Sequence, residues 1–268
     1  MQILPSPPLA HIVKHFLIIE NEQISNVGLR LFSDGNTGMV FNFGTPLLHL
    51  KNGGSISEFL PTTFVYGQLD TYQNIVSTGN IKLLIVVFHP FGISTLLKIP
   101  AVELKNMILD LETFYTSETQ NLAEQIFNLS NIFFKIQLVE NFLITKLSEN
   151  DRNNQLPFQA ISLIHQYHGN LSVMQLTDTL QVSERKLQRT FEEHVGLTPK
   201  RYSGMIRVQY FLKLLRKNSE IPKTGLVYDA GFFDQAHLIR EMRNISGITP
   251  GQYLDQPNLL AANFLQIP

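Results

Sequence analysis

The sequence contains no cysteine, and this absence excludes several kinds of chemistry at once. Without a thiol the chain can form no disulfide, no thiolate zinc site and no cysteine nucleophile. Long apolar runs are also missing, because charged, proline and glycine residues interrupt the longest candidate, residues 81–97, and a membrane span needs roughly 20 apolar residues. Residues 1–11 show neither the basic nor the apolar region of a secretory signal. We therefore expect a cytoplasmic protein that does not bind a membrane.

The familiar motifs of enzymes are missing as well. The sequence has no Walker loop, no GxGxxG and no Ser/His/Asp arrangement, so neither nucleotide binding nor nucleophilic catalysis is indicated. A histidine-based metal site would need two or three histidines and a carboxylate on neighbouring strands. The histidines of the first hundred residues are scattered without an H-x-H pair: His11, His15, His49 and His89. We expect no enzymatic activity, no metal and no cofactor, although His89 could either line a pocket or simply fill space.

Charged residues are few, at 16% of the chain, and they are unevenly distributed. Residues 1–155 carry nine Lys and Arg against 13 Asp and Glu, a net charge of −4, whereas residues 156–268 carry 12 against nine, a net charge of +3. A hydrophobic fraction of 44% is typical of globular domains. A basic second half on an acidic first half fits DNA binding at one end only.

The first hundred residues predict short strands separated by turns. Runs rich in β-branched and aromatic residues occur at 27–32, 39–43, 64–66 and 81–88. Turn chemistry is expected at 34–36, where Asp34 and Gly35 are more typical of a turn than of catalysis, and at 52–54. Irregular short strands of this kind indicate a small barrel or sandwich.

From Pro100 onward the pattern becomes helical. Pro100 and Glu103 suit a first helical turn, and residues 116–149 predict two further helices. The second of these has an apolar stripe so wide that two interpretations stay open: it is packed between the barrel and another helix, or it offers a second face to another copy of the chain. The polar stretch 150–157 then reads as a linker.

The decisive feature is an internal repeat with an offset of 51 residues. Residues 183–202, SERKLQRTFEEHVGLTPKRY, align with residues 234–253, DQAHLIREMRNISGITPGQY. Each copy begins with a good N-cap, Ser183 or Asp234, and reaches a helix-ending glycine, Gly196 or Gly247. Each copy therefore predicts a capped helix of about twelve residues.

A shorter helical stretch precedes each repeated helix across a tight break, at 173–180 and at 224–230. Two helices joined in this way form a helix-turn-helix, whose second helix can enter the major groove of DNA. Residues 200–218 read as one long helix that sets the separation of the two units. Recognition helices on one side of B-DNA must lie roughly 34 Å apart.

The polar faces of the two repeated helices are rich in side chains that read base edges. Arginine pairs with guanine, glutamine with adenine, and alanine offers a methyl group to thymine. The predicted base-reading residues are Arg185, Lys186, Gln188 and Arg189 in the first unit, and Gln235, Ala236, His237 and Arg240 in the second. Phosphate contacts are expected from Ser183, Lys200, Arg201, Arg207 and Asp234.

Residues 170–255 resemble the DNA-binding domain of the AraC family of bacterial transcription regulators. The resemblance is carried by YDAGFFDQAHL at 228–238 and GITPGQY at 247–253. The groove-facing residues of the family fall on Arg185, Gln188 and Arg189, and on Gln235, Ala236 and Arg240, with His237 beside them. The sequence departs from the family where Gln181 replaces a turn glycine, Thr177 an alanine and Val227 a small residue, and Gly225 lies inside a helix.

Residues 1–149 resemble the N-terminal domain of a subgroup of these regulators, through the stretches at 32–44, 65–67 and 83–92 and the run that follows Pro100. That resemblance implies a small cupin-like β-barrel with helices after it, which serves as a sensor or a dimerisation module. It does not supply a ligand.

The expected architecture is therefore α+β. Residues 1–149 form the cupin-like barrel and its helices, 150–157 a linker, 158–257 the all-α domain of two helix-turn-helix units joined by a long helix, and 258–268 a C-terminal tail. The expected partners are double-stranded promoter DNA, a small-molecule effector, a second copy of the chain, and RNA polymerase if the protein is an activator. The competing hypothesis is a ligand-binding or enzymatic barrel whose helical domain serves only protein interaction.

Overall fold

The computed structural model describes residues 1–22, 27–51, 56–147, 155–217, 223–255, 259–261 and 263–267. Its first half contains two six-stranded antiparallel sheets that face each other, and its second half is helical. The α+β class expected from the sequence is confirmed, and the two facing sheets of the first half form a β-sandwich.

Two sheets make up the sandwich, and every strand in them pairs antiparallel. The strands are β1 Gln2–Ile3, β2 Val13–Asn21, β3 Val27–Leu31, β4 Thr37–Asn42, β5 Leu47–Lys51, β6 Ile56–Phe59, β7 Thr63–Tyr66, β8 Gln73–Ser77, β9 Ile81–Phe88, β10 Ile108–Asp110, β11 Leu259–Ala261 and β12 Phe264–Ile267. The first sheet has the order β1-β2-β9-β4-β7-β10, and the second has the order β11-β12-β3-β8-β5-β6.

Strand β9 shows why the first sheet is apolar on both faces. Ile81, Leu83, Ile85 and Val87 point into the core between the two sheets. The alternate side chains, Leu84, Val86 and Phe88, pack against helices on the outer face. Because successive side chains of a strand point to opposite faces, a continuous apolar run is the signature of a strand that is buried on both sides.

The helices are α1 Gly92–Leu97, α2 Thr116–Asn128, α3 Ile132–Lys146, α4 Gln155–Gln166, α5 Val173–Leu180, α6 Glu184–Val195, α7 Pro199–Lys217, α8 Lys223–Asp229, α9 Gln235–Ser246 and α10 Pro250–Leu254. Helices α1 to α3 cover the outer face of the first sheet, where Ile126, Val139 and Leu143 are buried. Helices α4 to α10 enclose a separate core. The two predicted helices over 116–149 are confirmed, although α3 ends at Lys146.

Three expectations from the sequence need correction. The helix expected from Pro100 is only a 3-10 turn, Ala101–Leu104, because the chain goes on to pair as β10 with β7. The linker expected over 150–157 ends earlier, since Gln155 already begins α4 and proline is tolerated in a first helical turn. The turn expected at 52–54 lies outside the described residues.

The largest correction concerns the C-terminal tail expected over 258–268. Strand β12 pairs antiparallel with β3, placing Phe264 opposite Leu31 and Gln266 opposite Leu29. The backbone N–H of Phe32 donates to the carbonyl oxygen of Asn263 at 3.0 Å. The segment that follows the helical domain therefore returns to the sandwich and extends its second sheet.

Candidate nucleic-acid interface

The first helix-turn-helix unit consists of α5 and α6, and its helices begin and end at capping residues that can be recognised in the sequence. Ser172 caps α5 in a capping box with Gln175. Ser183 caps α6, and its hydroxyl accepts from the N–H of Lys186 at 3.3 Å. Gly196 ends α6 in the left-handed conformation with φ 81°. The predicted cap and glycine stop of the first recognition helix are confirmed.

The second unit, α8 and α9, repeats this plan. Asp234 caps α9, and its carboxylate accepts from the N–H of His237 at 2.7 Å. Gly247 ends α9 with φ 71°. Thr249 then forms a capping box with Gln252 at the start of α10. In each recognition helix a side-chain oxygen thus satisfies one of the orphan N–H groups of the first turn.

The two turns differ by one residue. In the first turn the N–H of Val182 donates to Thr177 O at 3.1 Å, and in the second the N–H of Phe232 donates to Val227 O at 3.0 Å. These equivalent bonds have an offset of 50, whereas the N-caps and glycine stops have an offset of 51. Phe233 is the additional residue, and 83% of its side chain is exposed.

The exposed faces of the recognition helices carry the side chains that the sequence assigned to base reading. Seven of the eight are exposed, and His237 is half-buried against the ring of Phe232 at 5.4 Å. The opposite faces are buried in one common core. The exposed residues are Arg185, Lys186, Gln188, Arg189, Gln235, Ala236 and Arg240. Phe233 was missed because a lone phenylalanine in a turn carries no sequence signal, yet an exposed ring beside a recognition helix can contact a thymine methyl group.

The predicted phosphate contacts divide into two groups. Lys200 is exposed at the start of α7 and remains a candidate. The side chains of Ser183 and Asp234 are occupied by capping, and a carboxylate repels phosphate. We therefore retain only the backbone N–H groups of these helix N-termini as candidates.

The predictions for Arg201 and Arg207 need correction, because both side chains form hydrogen bonds within the molecule. Arg207 donates to the carbonyl oxygen of Gly169 at 2.7 Å and lies over the ring of Phe232. Burial lowers the pKa of Arg207. Arg201 donates to the carbonyl oxygen of Asp70 in the sandwich. Sequence alone could not reveal these partners, since they are distant in the chain.

Helix α7 holds the two units together. Its nineteen residues span roughly 28 Å at 1.5 Å per residue. One face packs against both recognition helices through a core that includes Leu187, Phe191, Met205, Leu238 and Met242. The predicted long helix is confirmed, except that Asn218 lies outside the described residues.

The glycine stops of both recognition helices touch the first half of the chain. A Cβ atom on Gly196 would lie 2.6 Å from the carbonyl oxygen of Ala101, and one on Gly247 would lie 2.4 Å from the ring of Tyr72. Beside the first stop, the hydroxyl of Ser94 donates to His194 O at 3.1 Å. Each recognition helix is therefore fixed to the sandwich at its C-terminal end.

Helix α7 also docks on the loop between β3 and β4. The side-chain amide of Gln209 donates to Ser33 O at 2.8 Å. A Cβ on Gly35, whose φ is 86°, would lie 3.0 Å from both Tyr202 and Ile206. The predicted turn at Asp34 is confirmed, since the carboxylate accepts from the N–H of Asn36 at 3.1 Å. The turn is thus a docking element for the helical half.

A cavity of about 140 Å³ lies between the two sheets. Most of its lining is aliphatic or aromatic, and its polar lining residues are Gln2, His15, Asp34, Tyr66 and Asn263. Burial lowers the pKa of His15 and raises that of Tyr66. His15 lines this cavity, whereas His89 stacks on the ring of Phe91 at 6.1 Å.

Two absences concern the described residues alone. Within the ranges given above, no three His, Asp or Glu side chains come together as a candidate metal site. Over the same part of the chain, no helix has both the length and the apolarity to cross a membrane.

Two family models match the two halves of the chain. Residues 176–256 match a helix-turn-helix domain, and residues 1–110 match a domain of unknown function, DUF6597. An uncharacterized HTH-type transcriptional regulator of Haemophilus influenzae is 25% identical over 116 residues, which cover 43% of this chain and 37% of the relative. This chain therefore matches little more than a third of that protein's length.

Crystal structures of ToxT from Vibrio cholerae share the fold of most of the chain. ToxT of strain O395 superimposes with a TM-score of 0.51 at 15% identity, covering 89% of this chain and 96% of ToxT. The P21 form of ToxT gives a TM-score of 0.50 at 12% identity, covering 89% and 97%. The helical half therefore contains a helix-turn-helix domain.

The helix-turn-helix match and the ToxT-like fold agree with the resemblance read from the sequence. A further ToxT structure, bound to (E)-4-(8-methylnaphthalen-1-yl)but-3-enoic acid, has a TM-score of 0.50 at 14% identity, covering 89% of this chain and 97% of ToxT. The cavity between the two sheets and the contacts of the first half with both recognition helices are observed in this chain and rest on its own residues alone.

Proposed function

We propose that this protein is a sequence-specific transcription regulator that binds promoter DNA through both units of its AraC-type domain and senses a small molecule in its sandwich. The observation that carries the proposal is the placement of the predicted base-reading side chains. They lie on two capped helices that share one core, and seven of the eight are exposed. Arginine and glutamine on such helices discriminate between base pairs in the major groove.

Selection of bound DNA from a random library, followed by gel shifts on the selected site and its single-base variants, tests the proposal. Arg189→Ala and Arg240→Ala should each weaken binding by about 1–3 kcal/mol and relax the preference at one base pair. Lys200→Ala is the matched control, because loss of a phosphate contact weakens binding to every sequence alike.

If both arginine variants lose the same affinity on every sequence, base reading is assigned to the wrong residues. If the wild-type protein binds DNA only weakly and without preference at moderate salt, the regulator proposal fails. The barrel with a protein-interaction domain would then be the better account.

The protein also presents a surface suited to a second copy of the chain. On α3, the side chains of Phe133 and Phe134 are 62% and 56% exposed, and Ile144 is exposed as well. The opposite face of the same helix is buried against the sheet through Val139 and Leu143. We propose that this outer face forms a homodimer, since exposed apolar patches of this kind mark interaction sites.

Sedimentation of the full chain tests the dimer. The double variant Phe133→Glu with Phe134→Glu should sediment as a monomer, because a charge in an apolar interface is costly to bury. Phe59→Glu, an equally exposed phenylalanine on the edge strand β6, should leave the oligomeric state unchanged. A monomeric wild-type protein at micromolar concentration would contradict the proposal.

A further inference from the structure

The cavity between the two sheets has the size of a small aromatic molecule. Its volume of about 140 Å³ is close to that of engineered apolar cavities that bind benzene. Side chains of both sheets surround it, among them Val40, Phe64, Ile75 and Ile85. Such walls favour an apolar occupant, because a water molecule there would find few hydrogen-bond partners.

One part of the lining is polar and bears negative charge. Asp34 lines the cavity together with Tyr66 and His15. Both carboxylate oxygens of Asp34 accept hydrogen bonds from Asn36, at 3.1 and 2.7 Å, but a carboxylate has lone pairs for more than two donors. The negative charge of Asp34 also acts on Tyr66 and His15. An occupant with a hydrogen-bond donor therefore fits, whereas an anion would be repelled.

Part of the wall comes from the segment that follows the AraC-type domain. Ala261, Asn263 and Phe264 line the cavity. The side chain of Phe264 belongs to the core between the sheets and is 5% exposed. The cavity is therefore incomplete without residues that the chain reaches only after both helix-turn-helix units.

The other face of the same strand packs on the AraC-type domain. Leu265 is fully buried in the core of that domain, together with Phe32 of the sandwich. Asn263 links the two, because its side-chain amide donates to Phe32 O at 2.9 Å. Strand β12 is thus a common wall, with the cavity on one face and the DNA-binding core on the other.

We propose that the cavity binds a small uncharged aromatic molecule with one hydrogen-bond donor, of the phenol or indole class, and that β12 couples its occupancy to DNA binding. Binding itself depends only on the cavity, while the coupling rests on the proposed regulator function. A molecule seated against Phe264 shifts the strand whose opposite face supports the recognition helices. Ligand and DNA affinity are then linked through the two positions of that strand.

Calorimetric titration of the full-length protein with four probes tests the ligand class. Phenol and indole should bind at least about tenfold more tightly than benzoate, which carries the wrong charge, and more tightly than benzene, which lacks a donor. Asp34→Asn removes the charge and should abolish the discrimination against benzoate. If benzoate binds the wild-type protein as well as phenol does, or if none of the probes binds, the ligand assignment is overturned.

The role of β12 as a wall has a signature that a purely structural role would not give. Phe264→Ala enlarges the cavity, so the preferred probe should change from phenol to 2-naphthol by about tenfold in relative affinity. Gln266→Ala, on the same strand but not lining the cavity, should keep the wild-type preference. If Phe264→Ala is folded by thermal melting and still prefers phenol, the strand is not part of the site.

Coupling is read from gel shifts with and without saturating phenol. The DNA affinity of the wild-type protein should change by several-fold, and Leu265→Val, a conservative change at the buried face, should reduce that response while phenol still binds. An unchanged response in Leu265→Val, or no response in the wild-type protein, overturns the coupling. A protein that binds phenol but no DNA would instead contradict the proposed function and leave the ligand assignment standing.

Discussion

The two helix-turn-helix units share a core and a capping scheme but differ in their polar surfaces and their turns. The first unit exposes Arg185, Lys186 and Arg189, and its turn places Gln181 in the left-handed region with φ 51°. The second exposes one predicted base-reading arginine, and its turn has Gly231 in that conformation with φ 81°. The comparison shows that the two units share their packing positions but differ in their exposed polar surfaces.

The turns also illustrate two solutions to one backbone requirement. Glycine adopts a positive φ at no steric cost, whereas a residue with a side chain pays for it. Gln181 is exposed, so its side chain meets no crowding. At Gly231 a Cβ atom would lie 1.8 Å from the side-chain oxygen of Asn170, so a substitution would have to displace that side chain as well as adopt the strained positive φ. The first turn should therefore tolerate substitution better than the second.

The largest losses in the free energy of unfolding are expected when equivalent buried side chains of the two units are truncated to alanine. Phe191 and Met242 occupy equivalent positions of the two recognition helices, and both are fully buried. Phe191→Ala should lower the free energy of unfolding by about 3–5 kcal/mol, and Met242→Ala by about 2–4 kcal/mol, because the aromatic ring leaves the larger cavity. Urea unfolding followed by circular dichroism measures both. Equal losses would mean that the second unit packs as tightly as the first.

Substitution of the glycine stops should give the next largest losses in the free energy of unfolding, and the losses should differ between the two units. Gly196→Ala places a methyl group against the backbone of Ala101, which cannot move aside, so we expect a loss of about 2–3 kcal/mol. Gly247→Ala meets the ring of Tyr72, which can turn away, and should cost about 1–2 kcal/mol. Chemical denaturation of both variants gives the comparison.

A double variant identifies the cause at the second stop. If the ring of Tyr72 is the obstacle, Tyr72→Ala should recover part of the loss in Gly247→Ala, whereas it should not help Gly196→Ala. Additive losses in both combinations would show that backbone strain alone accounts for the effect at Gly247.

The smallest effect concerns the tyrosines that follow the two stops. The hydroxyl of Tyr202 lies 2.9 Å from Nε2 of His165, whose pKa is lowered to about 4 by burial and, to a lesser degree, by Lys14. Its repeat partner, Tyr253, lies beside the guanidinium group of Arg216. Only the first unit should therefore respond to mild acid.

The folded-state pKa of His165 is below the unfolded value, so the folded state binds fewer protons between pH 6.5 and about 4. The stabilisation is complete above pH 6.5 and is lost as the pH falls through this range. Because the ring borders an open cleft, water screens part of the shift, and we expect a loss of only about 1 kcal/mol. His165→Gln should unfold with a weaker pH dependence over this interval. An identical pH profile for both proteins would contradict this assignment.

The features predicted correctly from the sequence are those encoded by neighbouring residues. These features depend on side chains that lie within a few residues of one another. They are the helix caps, the glycine stops, the apolar period of α6 and α9, and the continuous apolar run of β9. The hydrogen bonds that Arg201 and Arg207 form within the molecule could not be predicted, because their acceptors lie 131 and 38 residues away in the chain. The pairing of β12 with β3 could not be predicted for the same reason. A short apolar segment forms a strand only when a partner strand lies beside it, and here the partner is distant in the chain.

The return of the chain to its first sheet has a consequence for synthesis. Asn263 donates a hydrogen bond to Phe32 across 231 positions of the chain, so a ribosome makes the whole helical half before it makes β12, the neighbour of β3. During that interval β3 presents an unpaired edge, which is the kind of surface that recruits other chains. A nascent molecule therefore completes the second sheet of its sandwich only after its helical half has been made.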